Sequence, residues 1–174
     1  MTDFVIAIDY DKCTGCRICE MACSVRNGGE INPVKSRIRL VRLDTESSAI
    51  AIPVLCMKCV EAFCKAICPT GAISDDPFTG ARVVNGDKCI ACSACVYACP
   101  FGAIAVDRAL GQAFNCNQCD GEPACVRFCP RDAIRYLDRD EVSIHLRRTS
   151  LDKYLALAGR TMPVGQVTGI SPKT

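Results

Sequence analysis

The sequence predicts an α+β chain built on a small repeated unit: a strand, a cysteine-bearing loop, a short helix and a second strand. Three observations predict it. All 16 cysteines of the 174-residue chain fall into four groups of four, Cys13/16/19/23, Cys56/59/64/68, Cys89/92/95/99 and Cys116/119/125/129. The flanks of these groups repeat. Asp11-Lys12-Cys13 returns as Asp87-Lys88-Cys89, and Cys68-Pro-Thr-Gly-Ala-Ile73 returns as Cys99-Pro-Phe-Gly-Ala-Ile104 and, more loosely, as Cys129-Pro-Arg-Asp-Ala-Ile134. The apolar runs beside them are of strand length, and none approaches the roughly 18–20 residues of a membrane-spanning helix.

In chain order, Phe4–Ile8 reads as the first strand, leading into the first group with spacing C-x2-C-x2-C-x3-C. Residues 24–55 form an insertion. Arg37–Leu43 alternates basic and apolar residues except at Leu40-Val41, Ala49–Leu55 is apolar, and Asp44–Ser48 is a polar turn, so a β-hairpin is expected. Its arginines are read as a solvated face. The second group is C-x2-C-x4-C-x3-C, and Thr79-Gly80 and Asn85-Gly86 mark turns before the third, which repeats the first spacing. A strand follows at Ala103–Val106, then the fourth group, C-x2-C-x5-C-x3-C. Residues 138–174 carry no cysteine. Ser150–Ala158 holds a cap and good helix formers stopped by Gly159, and Arg147, Arg148, Lys153, Arg160 and Lys173 make this tail basic, which suits docking to a partner or to another copy of the chain.

The spacing points to a chemistry. A cubane of iron and sulfide needs four soft thiolates on a small core, and closely spaced cysteines on a tight loop wrap it. Three groups end in Cys-Pro (Cys68-Pro69, Cys99-Pro100 and Cys129-Pro130), and proline suits a boundary between loop and helix. The fourth cysteine of each group is expected to start a helix. The pattern is that of bacterial [4Fe–4S] ligands, and 16 thiolates suffice for four clusters. Zinc also uses C-x2-C pairs but seldom three close cysteines followed by Cys-Pro. Disulfides would suit a secreted chain, whereas Met1–Asp11 shows no basic leader, no apolar run of signal length and no twin arginine, so a cytoplasmic protein is expected.

Composition agrees. With 12 Gly, 9 Pro, six Phe, four Tyr and no Trp, the chain has little to bury besides its cofactors, and the apo form should fold poorly. The formal charge is +2. Each oxidised cluster with four thiolates adds about −2, so the loaded protein becomes acidic and a nucleic-acid role has no electrostatic support. No catalytic apparatus is visible. His145 stands alone in a basic segment, and neither G-x-G-x-x-G nor a phosphate-binding loop is present, so flavin or nicotinamide belongs to another subunit. Clusters that each have four cysteines available leave no iron open to substrate, and a row of one-electron carriers is a conductor.

Strand, cluster loop, short helix and strand make half of a ferredoxin, and four such halves make two ferredoxin-like units around four [4Fe–4S] clusters. Over about residues 4–137 the chain resembles the four-cluster ferredoxin-type electron-transfer subunits of molybdenum and tungsten oxidoreductases. The features Asn32-Pro33, Ser36-Arg37-Ile38-Arg39 and Cys116-x2-Cys119-Asp-Gly-Glu-Pro-x-Cys125 are closest in character to the small subunits of tungsten aldehyde oxidoreductases. The resemblance implies a tandem cluster domain over 1–137 and a C-terminal extension over 138–174 with a docking helix at 150–158.

It also implies that the groups pair first with fourth and second with third, each fourth cysteine crossing over. The ligand sets are then Cys13, Cys16, Cys19 with Cys129; Cys116, Cys119, Cys125 with Cys23; Cys56, Cys59, Cys64 with Cys99; and Cys89, Cys92, Cys95 with Cys68. Spacing alone leaves a sequential pairing open, and Cys23 is followed by Ser24 rather than proline. The implied role is a relay from a large tungsten- or molybdenum-pterin catalytic subunit to an FAD-containing, NAD-linked subunit or a ferredoxin. The alternatives are a freely diffusing polyferredoxin, the corresponding subunit of a molybdopterin enzyme, hydrogenase or CO dehydrogenase, and, less in keeping with four fully ligated clusters, an iron–sulfur sensor.

Overall fold

The computed structural model describes residues 4–44 and 49–144. The chain divides into two compact units, residues 1–138 and 139–174. The second is described only over residues 139–144, which are helical. His145 and the expected helix 150–158 lie outside the described residues, as do positions 45–48 of the hairpin turn.

The first unit is α+β, with four two-stranded antiparallel sheets and four short helices among the described residues. Strand β1 (Phe4–Ile8) is a run of β-formers and pairs with the last strand, β8 (Ile134–Asp138), in the register Phe4↔Asp138 to Ile8↔Ile134. The two ends of the unit are thereby joined, with Phe4 stacked on Tyr136 at 5.0 Å between ring centroids. Helix α1 (Ile18–Gly28) follows the first cysteine loop and ends at Gly29, which takes the left-handed conformation (φ 72°) that lets its N–H bond the Val25 carbonyl. The insertion then makes a 3₁₀ turn at Pro33–Lys35, capped by the Asn32 side chain, and the hairpin of β2 (Arg39–Asp44) and β3 (Ala49–Val54).

The rest of the unit carries helix α2 (Phe63–Ala66), hairpin β4–β5 (Ile73–Asp75 and Arg82–Val84), helix α3 (Ala94–Ala98), hairpin β6–β7 (Ile104–Asp107 and Gln112–Asn115) and helix α4 (Ala124–Arg127). Helix α1 packs on α4, and α2 packs on α3. Two small cores result. One joins Ile6, Ile38, Leu55 and Ile134 to Cys19, Cys23, Cys116 and Cys125; the other joins Ile73, Ile104 and Ala113 to Cys95. Cysteine supplies half of the first core.

Three expectations need correction. The insertion over 24–55 is not all hairpin, because residues 24–28 continue α1 and the strands occupy only 39–44 and 49–54. The fourth cysteine of the last three groups closes a helix instead of starting one: α2, α3 and α4 each carry the third cysteine, and the chain leaves the helix at Cys68, Cys99 and Cys129. The following proline is the reason, since it disfavours helical geometry in the residue before it, and Cys99 is accordingly extended at ψ 113°. Nor is Arg39 simply solvated. Its guanidinium folds back onto the carbonyls of Pro33 and Val34 and ties the 3₁₀ turn to β2.

Candidate functional site: a cysteine framework

The loops that carry the cysteines share one backbone device. In each group the residue just before the second cysteine has a left-handed conformation: Gly15 (φ 72°), Lys58 (φ 51°), Ala91 (φ 52°) and Gln118 (φ 57°). Such kinks turn successive N–H groups toward one side of the loop and form a concavity suited to an anionic group. The kinks at Lys58 and Gln118 bring their own N–H groups to the thiols of Cys56 and Cys116.

A second device explains the repeated Cys-Pro-x-x-Ala-Ile. After Cys68, Cys99 and Cys129 the chain makes a tight turn whose fourth residue is left-handed, Gly71 (φ 62°), Gly102 (φ 63°) or Asp132 (φ 48°). The turn aims the next N–H back at the cysteine. Ala72 donates to Cys68 Sγ at 3.3 Å, Ala103 to Cys99 Sγ at 3.4 Å and Ala133 to Cys129 Sγ at 3.3 Å. The isoleucine that follows is buried and opens a strand, so this short motif fixes a sulfur, a turn and a core contact together.

Cys23 departs from this arrangement. Ser24 is fully buried inside α1, donates to the Met21 carbonyl and accepts from the Asn32 N–H, so the helix runs on and no such turn forms. Two other donors reach Cys23 Sγ: the Arg37 N–H at 3.2 Å and Asn27 Nδ2 at 3.5 Å.

The sulfurs gather across the groups. Cys13, Cys16, Cys19 and Cys129 line one pocket of about 340 Å³, together with Arg17, Leu40, Pro53 and Ile134. Cys56, Cys59, Cys64 and Cys99 line a second of about 400 Å³, walled by Phe63, Phe101 and Arg82. Cys68, Cys89, Cys92 and Cys95 line a third of about 330 Å³. Cys23, Cys116, Cys119 and Cys125 are all buried, and the first three bear electrostatically on the fourth. Cys16 and Cys92 are exposed.

Among the described residues no three His, Cys, Asp or Glu side chains meet closely enough to hold one metal ion. A single zinc needs its thiolates about 2.3 Å from one centre, whereas here they stand around volumes. All-thiolate donors standing around open pockets, with N–H groups aimed at sulfur, fit a [4Fe–4S] core, whose positive irons would keep the sulfurs deprotonated. Burial raises the Cys19 and Cys116 thiols to about 12 and pushes Cys125 up as well, so these three call for such a partner.

Four polar residues that cysteine spacing does not reveal support the loops. Glu20 is buried beside Cys19, accepts from the Leu40 N–H at 2.9 Å and pairs with Arg17 at 3.4 Å, which docks the hairpin on the first loop. Lys58 is the only buried lysine or arginine among the described residues. Its Nζ donates to the carbonyls of Phe4 (3.1 Å) and Thr79 (2.8 Å). Gln118 Nε2 donates to the same Phe4 carbonyl. Asn27 serves Cys23. A charged or amide residue at a loop position where Gly15 or Ala91 suffices elsewhere was the one available signal, at positions 58 and 118.

This framework defines an iron–sulfur protein of the [4Fe–4S] ferredoxin type. The chain belongs to the 4Fe-4S dicluster domain family, which it matches over residues 48–139, and residues 5–27 match a 4Fe-4S binding domain. It is 44% identical over 124 residues to the polyferredoxin-like subunit of an aliphatic sulfonate oxidoreductase from Pyrococcus furiosus, covering 71% of this chain and 70% of that one. It is 34% identical over 163 residues to the electron transport protein HydN of Escherichia coli (82% and 91% covered). The thiosulfate reductase electron transfer subunit PhsB of Salmonella typhi is 33% identical over 152 residues (81% and 79%). No helix among the described residues is long and apolar enough to cross a membrane.

Proposed function

We propose that the chain is a non-catalytic electron-transfer subunit that holds four [4Fe–4S] clusters and relays electrons through them. The observation that carries this reading is the sorting of the cysteines, three from one group and one from another, around separate cavities within a single unit. The ligand sets of the proposal are Cys13/16/19/129, Cys116/119/125/23, Cys56/59/64/99 and Cys89/92/95/68. Helix packing of α1 on α4 and α2 on α3 supports the same pairing of groups.

The relatives support a subunit over a free carrier, since two of them are named as subunits of oxidoreductases. The catalytic partner we propose is a large tungsten- or molybdenum-pterin subunit, with an aldehyde-oxidising tungsten enzyme as the specific assignment, and the acceptor an FAD-containing, NAD-linked subunit or a ferredoxin in the cytoplasm. Each cluster takes one electron and passes it on, so the chain moves charge without binding substrate.

Anaerobic affinity purification from the native host tests the proposal, with iron, tungsten, molybdenum and flavin quantified in the co-eluting proteins. About sixteen irons per chain with a tungsten-containing partner is the expected result. Molybdenum in the partner would replace the aldehyde enzyme by a molybdopterin one, recovery of the chain alone would favour a diffusing polyferredoxin, and zinc in place of iron would end the relay reading.

A further inference from the structure

The sulfur of Cys23 has hydrogen-bond donors unlike those of the other fourth cysteines. Cys68, Cys99 and Cys129 each draw an N–H from the alanine four residues on, within the same turn. At Cys23 the continuing helix abolishes that turn, and the main-chain replacement comes from fourteen residues away, the Arg37 N–H. Two buried hydroxyls hold that segment. Ser24 Oγ accepts from the Asn32 N–H at 3.2 Å, and Ser36 Oγ bridges the N–H and the carbonyl of Ile38 at 3.3 and 2.7 Å. The second donor is a side chain. One hydrogen of the Asn27 amide goes to the Cys23 carbonyl at 2.9 Å and Nδ2 also reaches Cys23 Sγ at 3.5 Å, so both contacts of the amide fall on one residue.

We infer that Asn27 sets the reduction potential of the cluster that Cys23 helps to hold, an inference that rests on the four-cluster reading above. One electron entering an oxidised cluster breaks no bond and takes its charge, with four thiolates, from about −2 to about −3. A hydrogen bond to a ligand sulfur favours the more negative state, and its loss favours the oxidised one. The donor supplied by α1 therefore holds this buried centre at a higher potential than the Arg37 N–H alone would. Asn27 touches the ligand and not the metal, so it is a positioning residue for the relay. Cys99 and Cys129 draw on the main-chain donors Ala103 and Ala133, which substitution leaves in place, and Cys68 adds to the Ala72 N–H only the Thr70 hydroxyl at 3.7 Å. Cys23, with an amide donor from its own helix, is therefore a point where a change of side chain retunes the conductor.

The test is a redox titration of the full chain followed by electron paramagnetic resonance, with iron quantified in the same samples. Asn27→Leu removes the donor while keeping the branched outline of the side chain, and Asn27→Asp replaces it with an acceptor at nearly constant volume. The expected result is full iron in both variants, one of four reduction steps moved to lower potential in Asn27→Leu and moved further in Asn27→Asp, and three steps unmoved. Four unmoved steps at full iron would overturn the inference. So would loss of this site's iron in both variants, because Asn27 would then be a brace for the ligand loop. Failure of the underlying reading shows separately, as parent protein that lacks sixteen irons or four reduction steps.

Discussion

Lys58 Nζ and Gln118 Nε2 donate to one acceptor, the Phe4 carbonyl oxygen, each at 3.1 Å. The two residues occupy the same place in their loops, between the first two cysteines of the second and fourth groups, and both are left-handed. Phe4 thus fastens β1 to a loop of each pair of groups. Replacing Lys58 by Met keeps the stem but leaves the Thr79 carbonyl without this donor. The expected cost is about 1–3 kcal/mol, typical of a buried polar group losing its partner. A denaturant titration followed by the visible absorption of the clusters measures it. Gln118→Leu combined with Lys58→Met should cost more than the sum of the single changes, because each single variant leaves the Phe4 carbonyl one of these two donors and the double variant removes both.

Cys56, Cys59, Cys64 and Cys99 line one cavity, and the crossed ligation proposed from it can be told from a sequential one by substitution. With crossed ligation, Cys99→Ser perturbs the cluster of the second group and leaves that of the third intact. With sequential ligation the outcome reverses. Pairing Cys99→Ser with Cys59→Ser decides between them: crossed ligands damage a single cluster in the double variant, about four irons lost at most, whereas sequential ligands damage two.

Asp132 holds a left-handed conformation that Gly71 and Gly102 hold in the equivalent turns. The strain of a side chain there is about 1–2 kcal/mol for an ordinary residue and less for Asp. Asp132→Gly should therefore be neutral or stabilising by up to about 1 kcal/mol, despite glycine's looser unfolded chain. Gly102→Ala should destabilise by about 1 kcal/mol through backbone conformation alone, since a Cβ at Gly102 would meet nothing within 4 Å. Chemical unfolding of the holo-protein checks both signs.

Glu20 is only 3% exposed, and its carboxylate holds the Leu40 N–H. Glu20→Ala leaves that buried N–H without its acceptor and detaches the hairpin from the first loop, at an expected cost of about 1–3 kcal/mol. Limited proteolysis should then cut first between residues 29 and 38.

Stripping iron with a chelator under oxidising conditions should unfold the first unit. Its two cores contain only seven buried aliphatic or alanine side chains beside five cysteines, too few to hold the backbone without the cofactor. Circular dichroism should lose helix in step with iron. Retention of the full helical signal in the iron-free chain would contradict this account.

Much of the fold was legible because the signals are local. Phe4–Ile8 is a strand by composition, the two apolar runs of the insertion do form a hairpin, and the segment expected at Ala103–Val106 appears one residue later as Ile104–Asp107. The helices were misplaced relative to the fourth cysteines because proline carries two rules. It suits the first turn of a helix, but it also expels the preceding residue from one, and the second effect prevails at Cys68, Cys99 and Cys129. The long reach of α1 was hidden because Ser24 gives no helix signal of its own; its burial depends on Asn32 folding back over it. Glu20, Asn27, Lys58 and Gln118 were missed for the same physical reason. A polar side chain shows its purpose only through its partner, and these partners lie at Leu40, the Cys23 sulfur and Phe4, where no periodicity leads.

The closing of β8 onto β1 also has a temporal side. A ribosome makes the amino end of a chain first, yet Phe4 has no strand to pair with until Asp138 has emerged. In the proposed pairing, the centre of the second group lacks nothing once Cys99 is out, whereas Cys13, Cys16 and Cys19 wait for Cys129. The inner half of the molecule can be metallated on the nascent chain; the outer half is sealed last, so a prematurely ended product would retain a gap at both of its outer sites and would be distinguishable from finished protein by its missing iron.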